Sequence, residues 1–422
     1  MFKEESSVGS IRSLSMVDIP SFVEVASNAY PGMGVNTPED KQKLVERLEK
    51  QTESDGKDLF GAYSGNRLVG GMLLHDFTMN FLSHQIDLGG VGFVCVDLLH
   101  KKEKIAKELI TYFERYYRDK GTAIAALYPF RPDFYRRMGY GYGSKMNQYR
   151  FAPKELPKGP SKQNMKKLSE ENVGELHKCY TRFSLKNHGM IVRSEEDMKR
   201  LFQDPKIKIF GVWQDDECKG YCVFSFENSK PGNFISNHIL MKEFVWETRE
   251  ALLELCTFLH SQQDQIHQII WNTQHEAFHF LLNDPRNGSD NLMPHVYHES
   301  NAAGVGLMYK VLDVRALFEQ TTADSFGLAN LNVKWCVTDS FANVNHEVLV
   351  NFHDGHAVVM EDIEPDVTVK LSISEFSSLI MGSISFTSLF QFGLVQLSDD
   401  KYLKKLHVIF SALPKPICMT GF

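Results

Sequence analysis

Apolar residues recur with the period of a strand or a helix through most of the first 90 residues. Residues 10–15, SIRSLS, alternate like a short strand, and residues 38–50, PEDKQKLVERLEK, have the spacing of a capped amphipathic helix. Residues 58–81, DLFGAYSGNRLVGGMLLHDFTMNF, predict two alternating strands joined at a Gly-Asn turn. The chain is therefore predicted to open with a strand, helical structure and a hairpin.

A buried strand that runs into an amphipathic helix is the most informative pattern of this region. Residues 91–96 are an apolar strand, and Lys101, Lys102 and Lys104 lie in the following loop and at the start of the helix. Such a junction presents free amides, the positive helix end and cationic side chains, which suits a phosphate group. From composition alone, a solvated lysine cluster is the alternative. The helix is indicated by apolar residues at Ile105, Leu109, Phe113 and Tyr116.

The segments that follow complete a recognisable order of elements. Residues 123–130, AIAALYPF, predict another buried strand, and residues 131–143, RPDFYRRMGYGYG, predict a short helix that ends at a glycine and passes into a strand. This order, with FYRRMGYG, resembles the GNAT acetyltransferases, whose late helix commonly reads Phe-Tyr-x-x-x-Gly-Phe/Tyr. In that fold the central strand splays from its neighbour and the pantetheine arm of acetyl-CoA lies in the gap. The pyrophosphate lies at the helix start.

The resemblance implies an acetyl-CoA site by position. One position departs from the family loop, which usually reads Arg/Gln-x-x-Gly-x-Gly/Ala, because Lys104 stands where the first glycine is expected. A lysine still donates its amide, but its backbone approaches a ligand less closely than that of glycine. The implied pantetheine contacts are Phe93, Val94 and Val96, and the implied pyrophosphate contacts are Lys101, Lys102 and the amides of Lys104, Ile105 and Ala106.

The middle of the chain resembles a diverged repeat of the first part, about 150 residues further along the sequence. The segment IFGVWQDDECKGY, residues 209–221, matches LFGAYSGNRLVGG, residues 59–71. Residues 242–262 have a helical pattern, but no basic, glycine-rich loop precedes the helix. We therefore expect the middle unit to keep the acetyltransferase fold, to lack its cofactor loop and to act as a structural partner.

From about Leu307 onward, strand and helix patterns alternate around a His-Asp-Gly-His turn and resemble a sterol-carrier-like domain. Two acetyltransferase-like units followed by such a domain is the arrangement of the Eis family of N-acetyltransferases. The resemblance implies an α/β (α+β) protein with tandem GNAT folds and a sterol-carrier-protein-like domain. The expected ranges are 1–152, 153–302 and 303–422. The family resemblance also implies a homo-oligomer, specifically a homohexamer.

Acetyl transfer requires a neutral amine, a polarised thioester carbonyl and a proton for the departing thiolate. A tyrosine has a pKa of about 10, which suits a proton donor to a thiolate, and the family keeps this acid at the position of Tyr135. The amide of Val94 is the expected donor to the carbonyl oxygen. In the Eis family the last residue's α-carboxylate folds into the first unit and takes the proton of the amine. That role falls on Phe422, although a disordered tail is the ordinary alternative.

The acceptor is expected to be an aminoglycoside, a polyamine or a lysine side chain. Asp18, Glu24 and Tyr30 belong to the first helical region, which borders the acceptor site in this fold. Acidic groups there would suit polycationic amines. Acetyl-CoA is the only cosubstrate implied, and no metal is expected.

Composition narrows the class of protein. Apolar residues make up 43% and charged residues 23%, and the net charge is −7, which argues against nucleic acid or an anionic membrane as the main partner. No apolar run approaches the length of a membrane span. The polar start, MFKEESSVGS, does not resemble a signal peptide, and seven scattered cysteines suggest reduced thiols. These features predict a cytoplasmic protein.

Two histidine patterns offer a different chemistry. His275, Glu276 and His279 follow the His-Glu-x-x-His order of zinc peptidases, and Glu299 lies twenty residues beyond. The repeat places these residues at a strand-to-helix turn, so we expect them to be ordinary helix residues. His353 and His356 flank a predicted hairpin turn and suggest no metal site. A zinc peptidase and a non-catalytic protein that binds a ligand in its last domain remain the alternatives to an acetyltransferase.

Overall fold

The computed structural model describes residues 9–53, 56–321 and 325–422. These residues form two seven-stranded sheets, one five-stranded sheet and one two-stranded ribbon. Most of the segment that was predicted not to be a signal peptide, residues 1–8, lies outside the described residues. No helix in the described ranges is long and apolar enough to cross a membrane.

The first part of the chain confirms the predicted strand, helix and hairpin. The hairpin turns at Gly65, which has a φ of 59°, and the predicted helix starts at a capping box between Thr37 and Asp40. The elements are β1 (Ser10–Ser13), α1 (Ile19–Ala29), α2 (Pro38–Thr52), β2 (Lys57–Ser64), β3 (Arg67–Phe81), β4 (His84–Val96), α3 (Ile105–Asp119), β5 (Ile124–Leu127), α4 (Pro132–Arg136) and β6 (Gly141–Tyr142).

The middle part repeats this order of elements, as the sequence predicted. Its strand β8, helix α5, hairpin β9–β10, strand β11, helix α7 and strand β12 correspond to β1, α1, β2–β3, β4, α3 and β5. The elements are β7 (Met146–Phe151), β8 (Met165–Lys167), α5 (Val173–Lys186), α6 (Glu195–Lys199), β9 (Lys208–Gln214), β10 (Glu217–Asn228), β11 (Asn237–Trp246), α7 (Arg249–His260), β12 (Ile266–Thr273), β13 (Leu292–Met293), β14 (Tyr297–His298) and β15 (Asn301–Gly304).

The last part contains the five-stranded sheet, in the order β19-β18-β17-β20-β21. The predicted turn between His353 and His356 is present, and its two central residues, Asp354 and Gly355, both have positive φ. The elements are β16 (Met308–Val311), α8 (Val314–Gln320), β17 (Leu331–Asp339), β18 (Val344–His353), β19 (His356–Met360), β20 (Val367–Ser372), α9 (Ile373–Ile380), α10 (Phe386–Gln391), β21 (Val395–Leu397) and α11 (Leu403–Ser411).

Two strands join sheets outside the ranges expected from the sequence. The first sheet has the order β1-β2-β3-β4-β5-β16-β6, and the second has the order β15-β7-β12-β11-β10-β9-β8. Thus β7, from the range 1–152, lies in the second sheet, and β16, from the range 303–422, fills the gap between β5 and β6 in the first. The pattern of a segment indicates that it is a strand, but it does not indicate which sheet edge the strand joins.

The last part packs directly against the first sheet. One buried cluster contains Phe81 and Ile124 from the first sheet together with Trp335, Phe376 and Phe410 from the last part. This shared core fixes the last part next to the first sheet, and it places the final residues of the chain near β4.

Candidate active site

Strand β4 separates from its neighbour β5 halfway along its length. The parallel pairing runs from Leu88 with Ile124 to Val91 with Leu127 and ends there. On the other side, the register with β3 jumps between Gly92 and Cys95, so that Phe93 and Val94 have no partner in the ladder. Phe93 has a φ of 49°, as expected in a bulge. The expected splay is therefore present, and it exposes the main chain of residues 92–96 to a gap.

Helix α3 begins at the mouth of this gap without a side-chain cap. Its first-turn amides therefore have no partner from an N-cap side chain. The N-cap residue, Lys104, has a φ of 64°. That conformation costs a residue with a side chain about 1 kcal/mol and costs glycine almost nothing. The loop thus keeps the backbone shape for which the related proteins use glycine.

A groove of about 990 Å³ follows the gap and the start of α3. Lys101, Lys102 and Lys104 line it, together with further cationic side chains at Lys107, Arg131 and Arg137. Positive charge, a helix start without a side-chain cap and an apolar floor fit a thioester cofactor with a pyrophosphate group. Of the residues predicted for this site, the groove brings together Val94, Val96, Lys101, Lys102, Lys104, Ile105 and Ala106.

A smaller cavity of about 240 Å³ adjoins the groove. Phe93, the remaining residue predicted for the cofactor, lines this cavity and not the groove. Tyr135 and Phe422, which are 287 positions apart in the sequence, line it together. Its lining residues are Tyr30, Met33, Val91, Gly92, Phe93, Val94, Tyr128, Phe130, Tyr135 and Phe422.

Tyr135 is held by other aromatic rings at the end of α4. Its ring centroid lies 5.2 Å from that of Phe134, 5.8 Å from Phe130 and 6.0 Å from Tyr140. The side chain is buried, and burial followed by the neighbouring phenol of Tyr30 raises the pKa of Tyr135 above its usual value of 10. The phenol is therefore protonated at neutral pH.

Phe422 is anchored by its ring next to the bulge of β4. The ring centroid lies 4.9 Å from that of Phe77, 5.2 Å from Tyr128 and 5.7 Å from His75. A Cβ atom added to Gly92 would lie 3.0 Å from the main-chain carbonyl carbon of Phe422. The carboxyl end of Phe422 therefore lies directly against the splayed strand.

Side chains that follow β5 and β12, together with Arg193, form hydrogen bonds to residues 418–420, here called the tail. Tyr128 Oη donates to the carbonyl of Thr420 at 2.9 Å, and Gln274 Nε2 donates to the carbonyl of Cys418 at 3.0 Å. Arg193 donates to the carbonyl of Met419 and to Thr420 Oγ1, both at 2.9 Å. The alternative of a disordered tail is thus wrong for this part of the chain.

The buried Arg193 is itself fixed by a charge pair. Its Nη1 donates to Glu243 at 2.6 Å, and Tyr221 donates to the second oxygen of the same carboxylate at 2.8 Å. Its guanidinium lies 4.5 Å from the ring centroid of Tyr180. The carboxylate raises the pKa of Arg193 despite the burial of the group. Arg193, a charged residue of the middle part, therefore holds the tail against the first sheet.

Of the three predicted acceptor-site residues, only Tyr30 reaches the cavity. Its hydroxyl donates to the carbonyl of Val94 at 2.6 Å, and burial raises the pKa of Tyr30 to about 12. The carboxylate of Asp18 accepts a hydrogen bond from the amide of Ser15 at 3.0 Å, and Glu24 forms an ion pair with Lys41 at 2.6 Å. Neither carboxylate lines the groove or the cavity, since each has a local partner that fixes it elsewhere.

The His-Glu-x-x-His segment does not form the helix that its spacing requires. After β12 the chain turns, and only a short 3₁₀ helix, Phe278–Leu281, follows. The ring of His275 packs 5.4 Å from Trp246, and Glu276 pairs with Lys415 at 2.7 Å. His279 lies in this 3₁₀ helix, whereas His275 and Glu276 precede it. The helix is therefore shorter than predicted, and His275 packs against Trp246 and Trp271 instead of entering a helical turn.

Glu299, the third possible ligand, accepts hydrogen bonds from Asn287, Ser289 and Asn291. In the ranges 9–53, 56–321 and 325–422, no group of three or more His, Cys, Asp or Glu side chains is arranged to hold a metal ion.

The middle part differs from the first at the start of its corresponding helix. The hydroxyl of Thr248 accepts a hydrogen bond from the amide of Ala251 at 3.0 Å and so caps α7. The equivalent end of α3 has no such cap. The structure thus supports the expectation that the middle part lacks a phosphate-holding loop, since a capped helix has fewer amides to offer.

The core of the last part is filled by its own aromatic side chains. The ring of Trp335 lies 5.3 Å from Phe376 and 5.6 Å from Phe410, and all three side chains are buried. Ring packing at these distances occupies the centre of the sheet and helix layers. This packing does not favour the alternative of a ligand-binding protein based on the last domain.

Several site residues were missed from the sequence. Phe134 and Arg137 lie inside the motif FYRRMGYG, and they could have been proposed from its position beside the groove. Tyr128 lies at the end of the β5 segment. Phe341, which lines the groove from the last part, and Arg193 carry no local signal, because only the tertiary packing brings them to the site.

Comparisons with protein families agree with this geometry. Residues 10–143 match an acetyltransferase (GNAT) domain family, and residues 189–317 match a second acetyltransferase (GNAT) domain family. Residues 314–419 match the sterol carrier protein domain. No curated protein matches the chain. The predicted succession of two acetyltransferase units and a sterol-carrier-like domain is therefore confirmed.

Solved structures share this fold over nearly the whole chain. A GCN5-related N-acetyltransferase from Anabaena variabilis is 16% identical, with 98% of this chain and 100% of that chain covered and a TM-score of 0.81. One from Kribbella flavida is 16% identical, with coverages of 98% and 100% and a TM-score of 0.75. Eis1 from Mycobacterium abscessus is 19% identical, with coverages of 98% and 100% and a TM-score of 0.72.

Proposed function

We propose that this chain, a GNAT acetyltransferase with the domain arrangement and fold of Eis1, transfers an acetyl group from acetyl-CoA to a primary amine. GNAT acetyltransferases use acetyl-CoA as the cosubstrate. The proposal rests above all on one observation: Tyr135 and Phe422 line one cavity that opens onto the splayed strand β4 and the cationic groove.

In this proposal the groove holds acetyl-CoA and the smaller cavity holds the amine. The pyrophosphate is bound by the first amides of α3 and by Lys101, Lys102 and Lys104, while Val94 and Val96 contact the pantetheine arm. The unpaired main chain of the bulge accommodates the thioester. The amide of Val94 donates to its carbonyl oxygen, and the hydrogen bond from Tyr30 to the carbonyl of Val94 fixes the following peptide unit of the strand.

The α-carboxylate of Phe422, the last residue of the sequence, acts as the general base. An α-carboxylate has a pKa of about 3.5 and is a weak base in water. The aromatic lining of the cavity, however, solvates a carboxylate and an ammonium ion poorly, which favours transfer of the proton between them. The carboxylate takes one proton from the ammonium ion. The freed nitrogen lone pair then attacks the thioester carbonyl in a direct ternary complex.

Tyr135 supplies the second proton transfer. As the tetrahedral intermediate collapses, the carbon–sulfur bond breaks and the thiolate of CoA leaves with the electron pair. The phenol of Tyr135 gives its proton to that sulfur. The nitrogen still carries its second proton and passes it through solvent to the tyrosinate, so that a neutral amide and neutral CoA separate. The carboxylic acid of Phe422 then releases its proton to solvent.

A thiol-release assay with acetyl-CoA and a panel of amines tests the proposal. The panel contains an aminoglycoside, a polyamine, an arylalkylamine and a lysine peptide. We expect Tyr135→Phe to lower kcat by about 10²- to 10⁴-fold, the usual range for the loss of a general acid. Deletion of Phe422 should cause a similar loss. Titration calorimetry should show that both variants still bind acetyl-CoA.

A matched control is Tyr402→Phe, which removes a hydroxyl from a half-buried tyrosine in the last part of the chain. This variant should keep its kcat. Full activity in both Tyr135→Phe and the Phe422 deletion would contradict the assigned mechanism. An absence of acetyl-CoA binding by the unaltered protein would contradict the proposed function itself.

The assembly and the cell compartment are also proposals. The loops of the middle part expose large apolar side chains, among them Phe234 at 85%, Phe280 at 84% and Val296 at 73%, which a homo-oligomer could cover. The resemblance to the Eis family stated from the sequence favours a homohexamer, and sedimentation velocity would test it. All seven cysteines are free thiols, which favours the cytoplasm.

A further inference from the structure

The cationic groove continues past the start of α3 and along the side of that helix. Its lining includes Lys107 in the first turn of α3, and Phe134, Arg137 and Met138 in and directly after α4. The same lining includes Phe341, which belongs to the last part of the chain. The wall of the groove is therefore built from two parts of the chain, and the acetyltransferase unit supplies only one of them.

Phe341 lies in the turn between β17 and β18, and this turn is fixed to α3. The carboxylate of Asp339 accepts hydrogen bonds from the amides of Phe341 and Ala342 at 3.1 and 3.0 Å. Asp339 also lies 2.9 Å from Lys310, which in turn pairs with Glu114 of α3 at 2.7 Å. The three charged side chains are buried. The position of Phe341 beside the groove is thus set before any ligand binds.

The ring of Phe341 lies on the flank of α3, beyond the helix start. Its centroid is 5.6 Å from Nζ of Lys107, in the first turn, and 4.9 Å from Nζ of Lys310, the partner of Glu114 in the third turn. The proposed pantetheine contacts lie on β4, before the helix, and the proposed pyrophosphate site lies at its start. The groove at Phe341 is therefore left for the end of the cofactor beyond the pyrophosphate.

The side chains at this end of the groove match the chemistry of a nucleotide. A base packs on the face of an aromatic ring, and an ammonium group forms a charge-assisted hydrogen bond with a phosphate. Lys107 is exposed, and its ammonium group lies next to the ring of Phe341. The end of acetyl-CoA beyond the pyrophosphate is an adenosine that carries a phosphate on its 3′ oxygen. A ring and a cation are thus present for the base and the phosphate.

We propose that Phe341 and Lys107 bind the nucleotide end of acetyl-CoA, so that the last part of the chain takes part in cofactor binding through its β17–β18 turn. This inference rests on the proposed acetyl transfer and adds a residue that lies outside both acetyltransferase units. The adenine contacts the ring of Phe341, and the 3′-phosphate pairs with the ammonium group of Lys107. The last part then contributes to the affinity for the cofactor in addition to the α-carboxylate of Phe422.

Titration calorimetry of acetyl-CoA with variants of Phe341 tests the proposal. Phe341→Leu keeps the apolar bulk and removes the ring. Loss of one contact between a base and an aromatic ring lowers affinity by roughly 5- to 150-fold, so we expect the Kd of acetyl-CoA to rise at least about fivefold. Phe341→Tyr keeps the ring and should bind as the unaltered protein does. The control is Phe392→Leu, at a phenylalanine that is 69% exposed in the last part of the chain.

Adenosine 3′,5′-bisphosphate, which is the nucleotide end without the pantetheine arm, identifies the part of the cofactor that Phe341 contacts. We expect it to displace acetyl-CoA from the unaltered protein, and to bind Phe341→Leu at least about fivefold more weakly. A failure to displace acetyl-CoA from the unaltered protein would overturn the inference. Equal affinity of the bisphosphate for the unaltered protein and for Phe341→Leu would also overturn it.

Lys107→Gln tests the contact with the 3′-phosphate. We expect the preference for acetyl-CoA over its 3′-dephospho derivative, measured as the ratio of their Kd values, to fall by about two- to fivefold, as is usual for an exposed ion pair. The matched control is Lys166→Gln, because Lys166 is also exposed and its ammonium group lies 4.8 Å from the ring centroid of Trp213 in the middle part. An unchanged ratio in Lys107→Gln would overturn the role of this lysine.

Failure of the inference and failure of the proposed function give different results. If the unaltered protein binds acetyl-CoA and Phe341→Leu binds it equally tightly, the inference is overturned while acetyl transfer stands. If the unaltered protein does not bind acetyl-CoA, the proposed function fails and the inference falls with it.

Discussion

Gly92 determines how closely the end of the chain approaches the splayed strand. It pairs with Leu73 at the edge of the bulge, and the space where its Cβ would be is bordered by the carbonyl carbon of Phe422 and by His75. The residue does not have a positive φ, so its conformation does not require glycine. The glycine is required by the close contact with Phe422.

The variant Gly92→Ala tests this contact. The added Cβ would lie 3.0 Å from the carbon of Phe422, so the tail must move by a few tenths of an ångström. We expect kcat to fall by about tenfold or more, since small displacements of a reacting group have large kinetic effects. The dissociation constant of acetyl-CoA should not change. Gly174→Ala is the control, because nothing lies within 4 Å of its added Cβ. An unchanged kcat in Gly92→Ala would show that the position of Phe422 is not critical.

The sequence predicted individual site residues only where a motif carried them. Tyr135 follows from FYRRMGYG, and the cationic helix start follows from Lys101, Lys102 and Lys104. Asp18 and Glu24 were expected near the acceptor but were found elsewhere, since a carboxylate pairs with whichever partner the local backbone brings to it. The pattern of residues does not contain that information.

At the scale of elements, the tail depends on the segment between α5 and α6. Arg193 lies in this segment and bridges Glu243 on β11 to two residues of the tail. Three of its nitrogens are engaged at fixed angles, which a planar guanidinium can satisfy and an ammonium cannot. The middle part of the chain therefore contributes to the site through this arginine, although its own helix start is capped.

The variant Arg193→Lys tests whether the position of the tail affects kcat independently of acetyl-CoA binding. The charge opposite Glu243 is kept, but at least one bond to Met419 or Thr420 is lost. We expect kcat to fall by about 10-fold or more with an unchanged affinity for acetyl-CoA. Arg182→Lys is the matched control, because Arg182 also pairs with a buried carboxylate just after the end of β11, that of Glu247, and its hydrogen bonds go to Glu247 and Cys218 and not to the tail. Equal kcat values for the two variants would contradict a role of Arg193 in positioning the tail.

The existence of the strands and helices was largely predictable from their periodicity. The hairpins β2–β3 and β18–β19, the helix α3 and the repeat in the middle part all agree with the patterns of the sequence. Sheet membership was not predictable for β7 and β16, because antiparallel strands of similar composition fit several edges equally well. The 3₁₀ helix at residues 278–281 was predicted as a longer helix, because the packing of His275 on tryptophans has no periodic signal.

At the scale of the whole molecule, a buried charge cluster joins three parts of the chain. Lys310 on β16 lies 2.7 Å from Glu114 on α3 and 2.9 Å from Asp339 at the end of β17, and its Nζ donates to the carbonyl of Met138 at 2.8 Å. Burial raises the pKa of Glu114 to about 7, while Lys310 opposes this shift. The helix that begins at the groove is thus fixed to the last part of the chain by charges without access to water.

The stability of the molecule should fall in mild acid because two imidazoles are buried. Burial lowers the pKa of His75 to about 3 and that of His188 to about 4, from the usual 6.5. Below pH 6.5 the unfolded chain binds protons that the folded chain rejects, so the free energy of unfolding decreases as the pH falls from 6.5 towards 4. Each imidazole contributes up to about 1.4 kcal/mol per pH unit. Glu114 contributes with the opposite sign between pH 4.5 and 7, which places the maximum near neutrality.

Urea unfolding at pH 7, 6 and 5 measures this dependence. His75→Gln should reduce the slope of the unfolding free energy against pH, whereas Gln42→Asn, at an exposed side chain that does not titrate, should not change it. A slope in His75→Gln equal to that of the unaltered protein would show that this imidazole takes up its proton in the folded state.

The placement of β16 between β5 and β6 has a consequence for the synthesis of the molecule. The ribosome completes residues 9–143 long before it makes residues 308–311, so the first sheet has a gap while the 164 residues between these two segments are translated. Until β16 is made, the backbone groups of β5 and β6 that face it are unpaired or form other contacts. The first sheet is therefore complete only late in translation. A fragment that contains only residues 1–152 would lack β16, which is a strand of this sheet.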